Sequence, residues 1–308
     1  MFAGVQIFGR LFYRKILRII KAPHSWYGFF LLVDPDTRIS FYPFTYSETC
    51  RMATYIVWEG ASRIDGAPVV CIVSGVGAGK RSKNEKTGEM AQVWYLLADV
   101  SPWSAANSGA DISICGSCAH RGYIDEGGTN RDRSCYVELL NAPRAIWEAY
   151  QKGSYDYLPP EFRWQNQSTR LGAYGDPVVV PSRINRNLIR RGNGNTGYTH
   201  QWRLRKFQSS RRLLMASCET IQDVAQAQAL GWRTFRTMSP DSADLTGSEI
   251  SCPASVEAGN IRTCETCLAC DGSRSQPREI PLQRSIAIVV HGPKSKTSSY
   301  RRHIGGGR

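Results

Sequence analysis

Beyond Met52, the apolar positions of the chain form short continuous or alternating runs, separated by stretches with helical spacing. Short apolar runs bounded by Gly, Pro and polar residues are typical of strands, whereas apolar residues about three or four positions apart indicate helices. The predicted strands cover residues 68–75, 91–100, 170–176, 196–202, 212–218, 232–238 and 285–292. The predicted helices cover residues 142–153, 181–192 and 220–231.

The alternation of strands and helices predicts parallel strands joined by crossover helices. We therefore expect an α/β fold, either a partial or complete (β/α) barrel with cysteine-rich metal-binding loops or, as the alternative, an open doubly wound sheet. In both folds the functional side chains gather where parallel strands end. Tyr174, Asp176 and His200 stand at such predicted strand ends.

Three segments of the chain are expected to differ in structure. Residues 1–51 form an N-terminal extension that need not belong to the core fold, residues 52–292 form the α/β metal-binding domain, and residues 293–308 form a disordered basic tail. No apolar run reaches the roughly 18–20 residues that a membrane span requires, so we expect no membrane span.

The strongest chemical signal is the spacing Cys252-x11-Cys264-x2-Cys267-x2-Cys270. Thiolates crowded on one tight loop repel each other unless a cation holds them. Four thiolates can close a tetrahedral zinc site or hold an iron–sulfur cluster, and the run C-x2-C-x2-C is typical of cluster-binding loops. We predict a metal site at these four cysteines, with an iron–sulfur cluster favoured and zinc as the alternative.

A second set joins the C-x2-C pair Cys115 and Cys118 to Cys135, with His120 close by. Three thiolates would leave one iron of a cluster open to a ligand, whereas His120 as a fourth ligand would complete a Cys3His zinc site. A C-x2-C pair with an unrelated core cysteine is the structural alternative. We predict a second metal site at the three cysteines.

The chain has ten cysteines, and its first residues lack the apolar core and small-residue cleavage site of a secretory signal. A reducing compartment is therefore expected, where cysteine clusters indicate metal or redox chemistry more than disulfides. Three cysteines lie in or near apolar runs and are expected to be core residues: Cys50, Cys71 and Cys218.

Three residues are candidates for catalysis. Asp176 ends a predicted strand beside glycines, where it can act as an acid or base or simply form a turn before Pro177. His200 and Arg203 lie among aromatic residues and can contact a base or an aromatic cofactor, although a strand histidine is often structural. No Ser-His-Asp or paired-carboxylate motif is evident in the sequence.

The net charge of +13 is unevenly distributed. Residues 177–218 contain no Asp or Glu but nine basic residues: Arg183, Arg186, Arg190, Arg191, Arg203, Arg205, Lys206, Arg211 and Arg212. Basic surfaces attract nucleic acid through phosphate contacts and counterion release. We predict a nucleic-acid contact in this region, with a solvated basic surface as the alternative.

Taken in order, SICG-x-C-x-HR, GAYGDP, GYTHQW and CETCLAC resemble a family of tailed-phage and prophage proteins that has no settled biochemical function. The likeness covers about residues 52–292. The resemblance implies a protein that acts in the host-cell cytoplasm, with nucleic acid or a phage or host protein as partner.

A looser likeness is to barrel-type phage proteins that themselves resemble radical S-adenosylmethionine enzymes. Asn84, Lys86 and Gly88 match an Asn-x-Lys-x-Gly element of those proteins, and Tyr136 follows the third cysteine as it does there. The likeness implies S-adenosylmethionine as a cofactor, with Asn84, Lys86 and Tyr174 as candidate cofactor-binding residues. The spacing differs from the Cys-x3-Cys-x2-Cys loop of radical enzymes, because sixteen residues separate the pair from the third cysteine.

These observations predict a phage-type metal-binding protein that holds iron–sulfur or zinc and acts on or binds nucleic acid. A radical-type iron–sulfur enzyme is one alternative. A zinc-stapled structural or interaction protein is the other, and the sequence does not decide whether the chain is an enzyme.

Overall fold

The computed structural model gives the chain as two units, Met1–Arg51 and Met52–Arg308. The described residues are 18–22, 25–33, 39–45, 54–77, 84–164, 166–241, 244–259, 261–273 and 284–305. In the first unit, β1 (Arg18–Ala22), β2 (Ser25–Val33) and β3 (Ile39–Thr45) form an antiparallel sheet in the order β1-β2-β3.

The second unit contains both cysteine motifs and two five-stranded sheets. Its described strands are β4 (Thr54–Ala61), β5 (Pro68–Ser74), β6 (Ala91–Leu97), β7 (Tyr123–Ile124), β8 (Asn130–Arg131), β9 (Thr169–Tyr174), β10 (Asn195–Thr196), β11 (Tyr198–Thr199), β12 (Met215–Cys218), β13 (Thr234–Met238), β14 (Glu249–Ser251) and β15 (Ser285–Val289). Its described helices are α1 (Pro102–Ser108), α2 (Ile112–Cys115), α3 (Ala142–Gln151), α4 (Ser182–Ile189), α5 (Ile221–Ala229), α6 (Cys264–Cys267) and α7 (Lys294–Tyr300).

The first sheet has the order β10-β9-β6-β5-β4 and the second has the order β11-β12-β13-β15-β14. All pairs of the second sheet are parallel, as are β6–β9 and β9–β10 in the first, whereas β4 and β5 add antiparallel pairs. The expected α/β class is therefore confirmed. These pairings neither establish nor exclude a barrel, so the barrel and the doubly wound sheet stay predictions.

The predicted elements form where their patterns indicate. In β5, four successive residues from Val70 to Val73 are fully buried, as expected for a continuous apolar run covered on both faces. Pro143 lies in the first turn of α3, where its missing N–H costs nothing. Thr220 and Asp223 form both hydrogen bonds of a capping box at the start of α5.

The predicted strand 196–202 is instead a segment that pairs with both sheets. Asn195–Thr196 pairs with β9, Tyr198–Thr199 pairs with β12, and a 3₁₀ turn follows at Gln201–Arg203. Between the two short strands, the Gly197 N–H donates to the Cys270 carbonyl at 2.9 Å. We call residues 195–199 the linking segment.

Alanine at Gly197 is expected to destabilise the fold by about 1–3 kcal/mol, the usual cost of overpacking. A Cβ there would lie 2.7 Å from Leu214 Cδ2 and 3.0 Å from Leu171 Cβ. Urea unfolding gives the difference. Gly247→Ala, with no atom within 4 Å of its added Cβ, serves as control and should stay within about 0.5 kcal/mol of the wild type.

The expected disorder of residues 293–308 is wrong over 294–305. Helix α7 buries Tyr300, which is 1% exposed and donates its hydroxyl hydrogen to the Thr237 carbonyl at 2.9 Å. Arg301 and Arg302 form ion pairs with Asp241 and Asp132. The composition of this segment suggested a solvated tail. The segment is ordered because one aromatic ring is buried and because these charges are paired. None of the helices in the described residues has the length and apolarity needed to cross a bilayer.

Candidate metal centre

The three-cysteine set is built on a compact loop between α2 and α3, which includes the short strands β7 and β8. Cys115 ends α2, and the Cys118 N–H donates to the Cys115 carbonyl at 3.2 Å. Cys135 returns to the same place because its N–H donates to the His120 carbonyl at 3.0 Å. Gly122 makes this return feasible, since it has φ +77° and a Cβ there would lie 2.1 Å from a backbone carbonyl oxygen.

The buried side chain of Gln201, two residues beyond the linking segment, holds this loop against the sheets. The Gln201 Nε2 donates to the Cys115 carbonyl at 3.1 Å, and its Oε1 accepts from the Ser117 N–H at 3.3 Å. Arg121 donates to the Asp111 carboxylate at 2.6 and 2.9 Å from the other side. The loop is thus fixed to elements that are remote in the sequence. A local sequence pattern does not predict such contacts.

A cavity of about 220 Å³ opens beside this loop. Its wall combines predicted site residues from four separate parts of the chain: Cys115, Cys118, Cys135, Tyr174, Asp176 and His200. The structure therefore brings the three cysteines together with one predicted cofactor-binding residue and two predicted catalytic residues. Arg133 and Tyr198, which the sequence did not single out, also line the cavity.

Several residues of the cavity wall carry buried polar atoms that do not complete a hydrogen bond within the described part of the chain. Among them are the hydroxyl oxygen of Tyr174, a residue only 2% exposed, and Nε of Arg133. A buried polar group without a partner costs about 1–3 kcal/mol. The cavity therefore offers binding groups that the protein does not satisfy by itself.

Electrostatics in this loop disfavour thiolates without a compensating cation. Burial raises the pKa of Cys115 well above its ordinary value, and Cys118, Asp111 and Cys135 raise it further. Burial also raises the pKa of Tyr174 well above its ordinary value, followed by the effects of Cys115 and Asp111. The Cys115 thiol accordingly needs a bound cation to become a ligand.

Asp176 lines the cavity, but its carboxylate holds the backbone. One oxygen accepts from the Val178 N–H at 3.1 Å, and the other accepts from the Thr199 hydroxyl at 2.9 Å and the His200 N–H at 3.0 Å. Both oxygens are thereby used to join the end of β9 to the linking segment. These hydrogen bonds give Asp176 a structural role, and its role as acid or base stays a prediction.

Arg203 lies outside the cavity wall. Its guanidinium carbon lies 3.9 Å from the centre of the Trp202 ring, and the group pairs with Asp223 of α5. The structure therefore does not bring Arg203 to the cavity with His200 and Asp176, and its catalytic role stays a prediction. Glu219 was missed instead. It lies within 4.8 Å of His120 and His200 through their ligand atoms.

The signal that could have identified Glu219 is positional. It directly follows β12, as His200 directly follows β11, and these two strands pair in parallel. Parallel neighbours present the residues after their carboxyl ends at one edge of a sheet.

The four-cysteine set surrounds a second, smaller cavity of about 40 Å³. Cys264 and Cys267 lie on α6, Leu268 has φ +50° and turns the chain, and Cys270 follows. Cys252 directly follows β14, and its N–H donates to the Ala287 carbonyl of β15 at 2.8 Å. All four predicted ligands thus line one buried space, within an apolar cluster that includes Met215 and Ile286.

The predicted cofactor-binding residues Asn84 and Lys86 lie at this second set. Asn84 Oδ1 accepts from the Lys86 and Thr87 N–H groups at 3.1 and 3.0 Å, which forms a turn. The Lys86 carbonyl accepts from the Cys264 N–H at 2.9 Å, and Lys86 lines the smaller cavity. The structure does not bring Asn84 and Lys86 together with Tyr174, because the 84–89 turn packs on the α6 loop. Their role in cofactor binding stays a prediction.

Sulfur spacing distinguishes one ion from a cluster. Tetrahedral thiolate ligation of one zinc ion at about 2.3 Å places the sulfurs about 3.8 Å apart. Among the described residues, no three cysteine sulfurs lie within 4.8 Å of one another. The nine described cysteines are free, and Cys71 and Cys218 are fully buried in the apolar core, as expected. Cys50 lies outside the described residues.

Comparison with known proteins found no match among family models, curated proteins or solved structures. The resemblance to phage and prophage proteins therefore stays a prediction, as does the host-cell cytoplasm that it implies. The two cysteine sets and the larger cavity are the features of this chain that bear on its function.

Proposed function

We propose that this chain is an iron–sulfur protein in which Cys115, Cys118 and Cys135 hold a cluster that faces the larger cavity. The observation that carries the proposal is the convergence of three free thiols with the unpartnered atoms of Tyr174 and Arg133. A cluster held by three cysteines has one iron open to a further ligand. The cavity has the volume and the polar groups to hold that ligand.

The sulfur spacing does not meet the requirement of a single zinc ion, because no three sulfurs of the described cysteines lie within 4.8 Å of one another. In a four-iron cluster each thiolate binds a different iron, so its sulfurs stand further apart than around one ion. We therefore propose a four-iron cluster. The same argument applies to Cys252, Cys264, Cys267 and Cys270, which we propose as a second cluster with a structural role.

The remaining residues of the cavity have roles in binding and orientation. A bound cluster would supply one-electron transfer and an iron able to take a ligand. Arg133 presents a positive charge beside the thiols, and its Nη1 donates to the Cys135 carbonyl at 3.3 Å. The Tyr174 hydroxyl can donate to, or accept from, a ligand on the same wall. Together the two residues favour an anionic, oxygen-bearing ligand.

Cys115→Ala is expected to remove about half of the iron and acid-labile sulfide from anaerobically purified protein. A cluster that loses a thiolate is bound far more weakly, because the remaining ligands leave one iron without its charge-neutralising partner. Iron, sulfide and zinc are measured together with the visible spectrum. Cys218→Ala removes a fully buried thiol outside either set and should keep the full content.

Colourless protein with stoichiometric zinc would contradict the cluster and favour the zinc-stapled alternative. Iron content unchanged in Cys115→Ala would reject the three-cysteine site while leaving the four-cysteine site untouched. The radical-type enzyme is the other alternative. It rests on the resemblance, since Asn84 and Lys86 do not line the larger cavity. Binding of S-adenosylmethionine that depends on Tyr174 would support it.

A nucleic-acid partner is the second candidate function, favoured by exposed charge on α4. Arg183, Arg186 and Arg190 are exposed on or directly after this helix, and acidic residues are absent from residues 177–218. Arg191 is different, because it is half-buried and donates to the Pro159 carbonyl at 2.8 Å. The surface proposed for phosphate contact is therefore the exposed side of α4 without Arg191.

The double variant Arg186→Glu, Arg190→Glu is expected to weaken binding to a single-stranded oligonucleotide and to lower the salt slope. Removal of one phosphate interaction should lower the slope of log K against log salt by about 0.7 for single strands. Fluorescence anisotropy over a salt series measures both effects. Arg144→Glu with Lys152→Glu makes the same charge change on and beside α3. Equal effects of the two doubles would show that only net charge matters.

A further inference from the structure

Three side chains outside the cysteine sets, those of His120, His200 and Glu219, converge at the larger cavity. Glu219 Oε1 lies 3.0 Å from His200 Nε2 and 3.8 Å from His120 Nε2. Within the described ranges, this is the one group of at least three His, Cys, Asp or Glu ligand atoms that all lie within 4.8 Å of one another. The three side chains are only 11–18% exposed.

The closest contact of the group joins His200 and Glu219. His200 Nε2 and Glu219 Oε1 are both buried and lie 3.0 Å apart, so they form an ion pair when the imidazole is protonated. The Cys118 thiol is a second hydrogen-bond partner of His200. When both imidazoles are neutral, the same nitrogen and carboxylate oxygen are available, together with His120 Nε2, to bind a metal ion.

His120 is oriented as a metal ligand would be. Its Nδ1 lies 2.9 Å from the hydroxyl of Ser134, a residue only 1% exposed. Hydrogen bonding at Nδ1 fixes the ring and directs Nε2 toward Glu219, as the outer partner of a metal-bound histidine does. The ring also stacks on Tyr300 of α7 at 5.9 Å, and its plane meets that of His200 at 72°.

We propose that His120, His200 and Glu219 bind one divalent first-row transition-metal ion, independently of the cysteine sets. Two imidazole nitrogens and one carboxylate oxygen suit Fe²⁺, Co²⁺ or Zn²⁺ and leave coordination positions open. Both histidines line the larger cavity, so the open positions face the same space as the three thiols. The ion would take water or an oxygen-bearing ligand from that cavity.

Co²⁺ titrated into the full-length protein tests this site, because its visible bands report the ligands. The wild type is expected to bind one Co²⁺ ion whose visible bands show nitrogen and oxygen ligation. In Glu219→Gln the affinity for this ion should fall at least about 100-fold, so its bands should be missing from the spectrum. Ser134→Ala should weaken the same equivalent by about 10–100-fold, the usual effect of removing the outer partner of a ligand. His291→Asn and Glu257→Gln alter an exposed histidine and an exposed glutamate elsewhere and should leave it unchanged.

Unchanged Co²⁺ affinity in Ser134→Ala and Glu219→Gln would overturn the proposal. The proposal would also be overturned if the Co²⁺ ion that these variants lose shows thiolate-to-cobalt charge-transfer bands in the wild type. Such bands would mean that the ion is bound by the neighbouring Cys118. Ser134→Ala decides the question if Glu219→Gln does not fold, as judged by circular dichroism. Cys115→Ala should keep this Co²⁺ while its iron and sulfide fall, so failure of the cluster proposal is distinguishable from failure of this one.

Discussion

Replacing Cys267 with alanine is expected to remove the metal of the four-cysteine set and to prevent stable folding of the second unit. Structural metal binding contributes on the order of 10 kcal/mol in small zinc proteins, which is comparable with the whole stability of a domain. Cys267 is 8% exposed inside an apolar cluster with the other three cysteines. Without the metal, only apolar packing would keep the loops that carry the other three cysteines in place.

Metal content and thermal unfolding of the Cys267→Ala protein provide the measurement. Cys71→Ala is the matched control, because it makes the same chemical change at a fully buried thiol of the main core. That variant should keep its metal and lose only about 1–2 kcal/mol from reduced packing. A Cys267→Ala protein with the wild-type metal content and unfolding temperature would show that the four cysteines are ordinary core residues.

Glu249→Gln is expected to destabilise the second unit by about 3–5 kcal/mol, the cost of leaving one charge of a buried pair alone. Glu249 lies on β14, and its two oxygens accept from Arg236 Nε at 2.9 Å and Nη2 at 2.7 Å. The side chains of this pair are 5% exposed for Arg236 and fully buried for Glu249. Urea unfolding at neutral pH measures the loss.

The exposed pair on α3 supplies the control. Arg144 and Glu148 lie 3.7 Å apart with side chains 53% and 49% exposed. Glu148→Gln should therefore change the free energy of unfolding by less than about 0.5 kcal/mol. Equal effects of the two substitutions would mean that burial of the Arg236–Glu249 pair does not determine its strength.

Acid should weaken the wild type through the same residue. Burial raises the pKa of Glu249, but hydrogen bonds from Arg236 and the Thr246 N–H outweigh it, so the pKa lies below the ordinary 4.5. The stabilisation is therefore present above pH 4.5 and is lost as the pH falls through the lower folded value. Glu249→Gln should remove this part of the acid dependence, which unfolding curves across that range would reveal.

Local chemistry made most elements predictable. The apolar run of β5, the proline that starts α3 and the capping residues of α5 act through neighbours in sequence, so a single sequence is enough to locate them. The cysteine spacing was informative for the same reason, since Cys264 and Cys267 share one helical turn. The prediction of a disordered tail failed because the position of Tyr300 depends on Thr237, a partner sixty-three residues away in the sequence.

Side-chain direction was the part that spacing could not supply. Arg203 and Glu219 are both polar residues near strand ends, yet one pairs with Asp223 at the surface and the other lies against two buried histidines. Asn84 and Lys86 matched a motif but pack on the α6 loop. These outcomes follow from how separate strands and loops meet, and a sequence pattern describes only one segment at a time.

Tyr198 of the linking segment lines both cavities, and its hydroxyl is a hydrogen-bond partner of Cys270. Burial raises the pKa of Tyr198 well above its ordinary value, and Cys270 and Cys264 raise it further. The protonated hydroxyl is therefore a proton donor held at the four-cysteine set by a side chain whose ring also forms part of the larger cavity. One aromatic residue thus links the surroundings of the two groups of sulfurs.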